Sequence, residues 1–66
     1  MLVVLRNPRR ELEVAGPMTA DTLLRRLEIN PETVLIIRND ELVPRDSRLE
    51  DGDRIELRPV ISGGAA

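Results

Sequence analysis

Four consecutive apolar residues, Val34-Leu35-Ile36-Ile37, constrain this chain more than any other stretch in it. Side chains in a strand alternate between faces. Val34 and Ile36 therefore point one way, Leu35 and Ile37 the other, and the run from Thr33 to Ile37 is apolar on both. Such a strand belongs inside a sheet with cover on each side. The remaining sequence offers a single helix, which covers one face. The other face is then a candidate contact surface, continuous with Leu2 and Val4. Register decides which pair faces outward, since a shift of one residue exchanges them. Leu35 and Ile37 are the candidates.

The helix is marked by Thr19, a good N-cap, and by Asp21 in the first turn, where the helix dipole favours an anion. Ala20, Leu23, Leu24 and Leu27 recur at helical spacing and form one apolar stripe. Asn30-Pro31 predicts the stop, giving about ten residues. A helix that short exists only when docked on the sheet. The core beneath it is aliphatic, because the 66 residues include no aromatic, cysteine or histidine. A chain of this length buries roughly 60% of its unfolded surface, so one small domain is the limit.

The other strands follow from alternation and turn chemistry. Leu2 to Arg6 reads as a strand, Asn7-Pro8 as a turn, and Arg10 to Val14 as a second strand with Leu12 and Val14 on one face. Gly16-Pro17 ends this hairpin. Asn39-Asp40 turns the chain into a short edge segment, Glu41-Leu42-Val43, closed by Pro44. Arg45 to Glu50 is a polar connection anchored by Leu49. Asp51-Gly52-Asp53 is a tight turn in which Gly52 is expected to supply a positive φ. The last strand runs from Arg54 to Val60. With that strand parallel to the first, the fold class is α+β, a four- to five-stranded mixed sheet packed on one helix in the β-grasp layout. Residues 1–60 form the domain, and 61–66 a flexible C-terminal tail.

Charge narrows the function. Twelve acidic residues face ten basic ones, for a net charge of −2. That balance argues against nucleic acid, whose backbone calls for a basic surplus. No apolar run reaches membrane-spanning length, so the expectation is a cytoplasmic monomer without a membrane partner. With no cysteine, an iron–sulfur role is excluded. The chain has no residues for catalysis or metal binding and implies no cofactor. All ten cations are arginine, so no lysine can accept an isopeptide bond.

Three stretches carry a family resemblance. Asn39-Asp40-Glu41-Leu42-Val43-Pro44-Arg45 resembles the hairpin of ThiS/MoaD-type sulfur carriers, commonly an Asn-Gly-Glu turn followed by Val-Pro-Arg; here Asp40 stands where glycine is frequent. Leu49-Glu50-Asp51-Gly52-Asp53-Arg54-Ile55-Glu56 resembles the family's leucine, Asp-Gly-Asp and strand. Ile61-Ser62-Gly63-Gly64 resembles its terminal di-glycine. Any one of these is weak, but three at this spacing in a short chain are specific.

The resemblance implies that the chain is a ubiquitin-like carrier and a substrate of enzymes, not an enzyme. An activating enzyme of the ubiquitin-activating type would adenylate the Gly64 carboxylate. A sulfur donor would convert it to a thiocarboxylate. The sulfur would then pass to an accepting enzyme for thiazole (thiamine) synthesis or tRNA thiolation, with conjugation to proteins as a further outcome. Gly63 and Gly64 suit passage through a narrow channel, since neither has a Cβ. The departure from the pattern is Ala65-Ala66, which leaves the reactive carboxylate in a peptide bond. Cleavage between Gly64 and Ala65, by a JAMM-type metallopeptidase, would expose it. Leu35, Ile37, Arg58, Val60 and Ile61 are the expected partner surface, with Arg58 steering an acidic partner. Arg9-Arg10 and Arg25-Arg26 read as solvated charge. The alternative function is a β-grasp binding or regulatory module, TGS-like, with a passive tail.

Overall fold

The computed structural model describes residues 1–6 and 9–60. The Asn7-Pro8 turn and the tail from Ile61 onward, with Gly63, Gly64 and Ala65, lie outside the described residues. The elements are β1 (Leu2–Leu5), β2 (Arg10–Glu13), β3 (Met18–Thr19), α1 (Ala20–Arg26), a 3-10 turn (Pro31–Thr33), β4 (Val34–Arg38), β5 (Glu41–Val43), β6 (Arg48–Leu49) and β7 (Arg54–Pro59). Five strands form one mixed sheet in the order β2-β1-β7-β4-β5, and β3 pairs with β6 beside it. The last strand lies parallel to the first, with Val3 opposite Ile55 and Leu5 opposite Leu57. This is the β-grasp arrangement.

Thr19 caps α1 as expected, its hydroxyl accepting from the Thr22 N–H. Leu23 and Leu24 are fully buried and pack with Met1, Val3, Ala20, Ile36, Leu49, Ile55 and Leu57. The helix is seven residues long and stops well short of Asn30-Pro31. Its end is made by Glu28, which adopts a left-handed φ of 59°. The Glu28 N–H bonds Arg25 O at 3.1 Å and the Ile29 N–H bonds Leu24 O at 2.9 Å. Together these satisfy two of the carbonyls a helix C-terminus leaves open, and glycine is the usual residue at that position.

The strand expected from Thr33 begins one residue later, because Thr33 belongs to the 3-10 turn capped by Asn30. Arg45 to Glu50 contains β6, which holds Met18 opposite Leu49. Gly52 does not take a positive φ; among the described residues no glycine does. The turn closes instead by an Asp53 N–H bond to Glu50 O at 3.1 Å, reinforced by the Asp53 carboxylate accepting from the Glu50 N–H at 2.8 Å. The left-handed residues sit in the other turn, at Asn39 (φ 50°) and Asp40 (φ 69°). That pair gives a two-residue hairpin turn matching the strand twist, and it fixes Arg38 opposite Glu41.

Candidate functional site

Registers settle which face of β4 is which. Ile36 is buried in the core under α1 and Val34 packs against it. Leu35 and Ile37 therefore face away from the helix. Leu35 is 44% exposed and stands opposite Arg58 of β7. Ile37 is half-buried, opposite Glu56 on one side and Leu42 on the other. Leu42, at 62%, is the most exposed of the large apolar residues described. Val4 is on this outer face too, but at 2% exposure it is closed over and adds little contact area. The open apolar surface is thus Leu35, Ile37 and Leu42, with Val60, 37% exposed, just past the end of β7.

Leu42 was not among the residues expected here. Its place was legible in the Asn39-Asp40 turn, because a two-residue loop puts Ile37 directly opposite Leu42 and so on the same face.

Arg58 does not stand alone. Its Nε donates to Glu56 Oε2 at 2.8 Å, and Arg6 Nε donates to the same oxygen at 2.9 Å. Glu56 is the sheltered member, its side chain 16% exposed. The bond from Arg58, and then that from Arg6, hold its carboxyl below the usual glutamate value. One carboxylate shared by two guanidiniums leaves the cluster with a net positive charge.

Two open grooves adjoin this region. One of about 380 Å³ runs along the β4–β5 edge, where Pro31, Leu35, Leu42 and Pro44 line it. It exists because β5 is three residues long and pairs only with Ile36–Arg38, leaving Val34 and Leu35 without a neighbour on that side. The second, about 240 Å³, opens where β1 and β7 end, between Ile29, Val34, Leu57 and Pro59, with Arg6 and Arg10 beside it. The chain leaves the sheet at this end. Its last described tie is the Val60 N–H bond to Thr33 O at 2.8 Å. Gly64 is four residues on from Val60 in the sequence, a reach of at most about 14 Å.

The turn motifs lie at the opposite end of the sheet. Asn39 Nδ2 donates to Asp53 Oδ1 at 3.1 Å, and Asn39 Oδ1 accepts from the Arg54 N–H at 2.9 Å. The Glu50 N–H bond and then the Asn39 amide lower the Asp53 pKa. Asp51 Oδ1 accepts from the Gly16 N–H at 2.6 Å. Asn39, Asp51 and Asp53 thus clamp three loops together, at the end of the sheet away from Val60.

The ThiS family profile matches residues 3–64, nearly the whole chain. The chain belongs to the ThiS family. The match runs to Gly64 and leaves Ala65-Ala66 beyond it. Among relatives, the sulfur carrier protein TtuB of Thermus thermophilus is 42% identical over 65 residues, covering 97% of this chain and all of that protein. An uncharacterized protein of Archaeoglobus fulgidus is 41% identical over 54 residues, or 82% of this chain and 78% of its own length. In this ThiS-family member, the outer-face apolar residues of β4 and β5 and the Arg6–Glu56–Arg58 cluster share one face of the sheet with β7, the strand that leads to the tail. Ile61, Gly63, Gly64 and Ala65 fall outside the described residues.

Proposed function

We propose that this ThiS-family chain is a sulfur carrier that works through the carboxylate of Gly64. A peptidase first hydrolyses the Gly64–Ala65 bond, releasing Ala-Ala. A Gly64 carboxylate oxygen then attacks the α-phosphorus of ATP on an activating enzyme and expels pyrophosphate. Hydrosulfide delivered by a donor attacks the resulting acyl-adenylate carbon through sulfur and expels AMP, leaving a thiocarboxylate once the S–H proton is lost to solvent. A sulfur-accepting enzyme draws on that thiocarboxylate, and the carrier contributes no catalytic group. The observation that carries the reading is a family match that spans the fold and runs to Gly64.

The described residues support a division of labour. Leu35, Ile37, Leu42 and Val60 form an apolar dock beside the tail root, and Arg58 and Arg6 supply positive charge at its edge. An activating enzyme with an apolar patch rimmed by carboxylates fits this surface, the charges orienting the encounter and the apolar contacts holding it.

Mass spectrometry tests the reading. The chain trimmed to Gly64 is incubated with an activating enzyme, ATP and a sulfur source, and its intact mass is measured. A gain equal to replacing one oxygen by sulfur is expected. An unchanged mass with several activating enzymes overturns the reading in favour of a binding module with a passive tail. The full chain, offered to a JAMM-type peptidase, should lose two alanines and nothing else.

A further inference from the structure

An activated glycyl terminus reacts with any amine or thiol that reaches it, and another copy of the carrier is a constant neighbour. The sequence contains no lysine, cysteine or histidine. Its ten cationic side chains are arginines, whose guanidinium keeps its proton at any working pH and offers no nucleophilic nitrogen. Hydroxyls remain at Thr19, Thr22, Thr33, Ser47 and Ser62. A hydroxyl attacks an acyl carbon only with a base placed to take its proton. That leaves the nitrogen of Met1.

The fold holds this nitrogen in place. It donates to Val14 O at 2.6 Å and lies 3.5 Å from Glu13 Oε2. The Val14 N–H returns a bond to Met1 O at 2.9 Å, so Met1 extends the β1–β2 ladder by one residue. The side chain is in the core cluster and the residue is 2% exposed. It also fills the space beside Gly16, where a Cβ would come within 2.6 Å of Met1 Cε. Aminolysis would form a C–N bond, break the bond from the acyl carbon to AMP or sulfur, and release the amine's proton to solvent. The lone pair must face the acyl carbon for this, and the paired strand keeps it covered.

We infer that the folded chain offers no nucleophile to its own activated terminus, because its one amine is built into the β1–β2 ladder and every other cation is a guanidinium. Copies do not join to one another, and conjugation to another protein stops at one copy per acceptor amine. The role of the acyl group rests on the carrier reading; the shielding of Met1 does not.

Two measurements test this without any activating enzyme, so a failed activation assay leaves both untouched. In the first, the full chain is treated with the N-hydroxysuccinimide ester of acetate near neutral pH, and its intact mass is followed in buffer and in guanidinium chloride. Native Met1 should acetylate at least about tenfold more slowly than denatured Met1, as protection through local opening requires. The Arg26→Lys variant, carrying one amine at an exposed position, should take one acetyl group rapidly while native. In the second, residues 1–64 bearing a C-terminal thioester are held at high concentration. The wild-type sequence should only hydrolyse, and Arg26→Lys should form a covalent dimer. Equal acetylation rates in buffer and denaturant would overturn the inference. So would a wild-type dimer as abundant as that of the lysine variant.

Discussion

The two ends of the sheet are built differently. At one end Asn39, Asp51 and Asp53 tie the loops to each other through side-chain hydrogen bonds to backbone N–H groups and to one another, and the Met1 nitrogen is bonded into the β1–β2 ladder. At the other, β1 and β7 end beside an open groove, the outer face carries Leu35 in the open, and the chain departs toward Gly64. The six residues of β7 separate the ends by about 20 Å. The turn residues that make the sequence recognisable, other than the glycines, are concentrated at the tied end. They hold the platform together; the proposed partner surface spreads over the outer face from Leu42 and Ile37 to Leu35 and Val60.

The sharpest way to break this contrast is to cut the tail. Truncation after Ser62, which removes Gly63 and Gly64, should abolish activation completely. The urea midpoint should not move, since among the described residues no member of the core cluster lies beyond Leu57. A truncated chain that unfolds more easily would mean that the tail belongs to the platform.

The converse experiment strikes the tied end. Asn39→Ala removes a bond to Asp53 and one to the Arg54 N–H, and leaves a Cβ-bearing residue without its side-chain support at φ 50°. A loss of about 2 kcal/mol is expected from urea denaturation. Activation per folded molecule should be unchanged. On the outer face the pattern reverses: Leu42→Ser and Leu35→Ser should raise the KM for the carrier in activation about tenfold each, roughly 1.4 kcal/mol. Their stability should stay within about 0.5 kcal/mol of the parent, as for other exposed positions.

The sheet could be read from the sequence because its signals are local and repeated. Val34 to Ile37 declared a doubly apolar strand, and Leu23 and Leu24 with Thr19 declared the helix and its cap. The outward pair on β4 was proposed but needed the β7 register to be decided. What could not be read were conformations taken by unlikely residues. Glu28 ends the helix where glycine is usual, and Asp40 turns a hairpin where glycine is usual, whereas Gly52 does not use its freedom. The β3–β6 pair escaped notice because two residues per strand give no periodicity, and its sequence signal is a lone Leu49. Of the proposed docking surface, Leu35, Ile37, Arg58 and Val60 were visible as residues, and Ile61 lies outside the described residues. The sharing of Glu56 between Arg58 and Arg6 joins positions fifty residues apart and needed the fold.

Acid should separate the ends again. Asp53 and Glu56 both have pKa values lowered in the folded state, by the Glu50 N–H and Asn39 in one case and by Arg58 and Arg6 in the other. A lowered native pKa gives stability that is complete above the unfolded value and is lost as pH falls through the native one. Urea midpoints should therefore decline between about pH 5 and pH 2. Asp53→Asn should flatten that decline, and protection of the Glu50 amide relative to its intrinsic exchange rate should then no longer fall with acid. Glu56→Gln should flatten it without affecting exchange at Glu50.

The smallest expected effect probes the turn itself. Asn39 and Asp40 both hold positive φ, and hairpins of this shape favour glycine at the second position because it has no Cβ to clash. An L-residue there stores up to about 1–2 kcal/mol, less for aspartate than for bulkier residues. Asp40→Gly releases that strain but gives the unfolded chain extra freedom, costing about 0.5–1 kcal/mol. The difference should leave the variant more stable by about 0.5 kcal/mol, a rise of about 2–4 °C in Tm for so small a domain. Activation should proceed at the parental rate, because the substitution touches only the tied end. A fall in Tm would show that the Asp40 carboxylate stabilises the fold by more than its backbone strain costs. A fall in activation at unchanged Tm would show that the partner surface reaches from Leu42 across the turn, and the contrast between the two ends would have to be redrawn at β5.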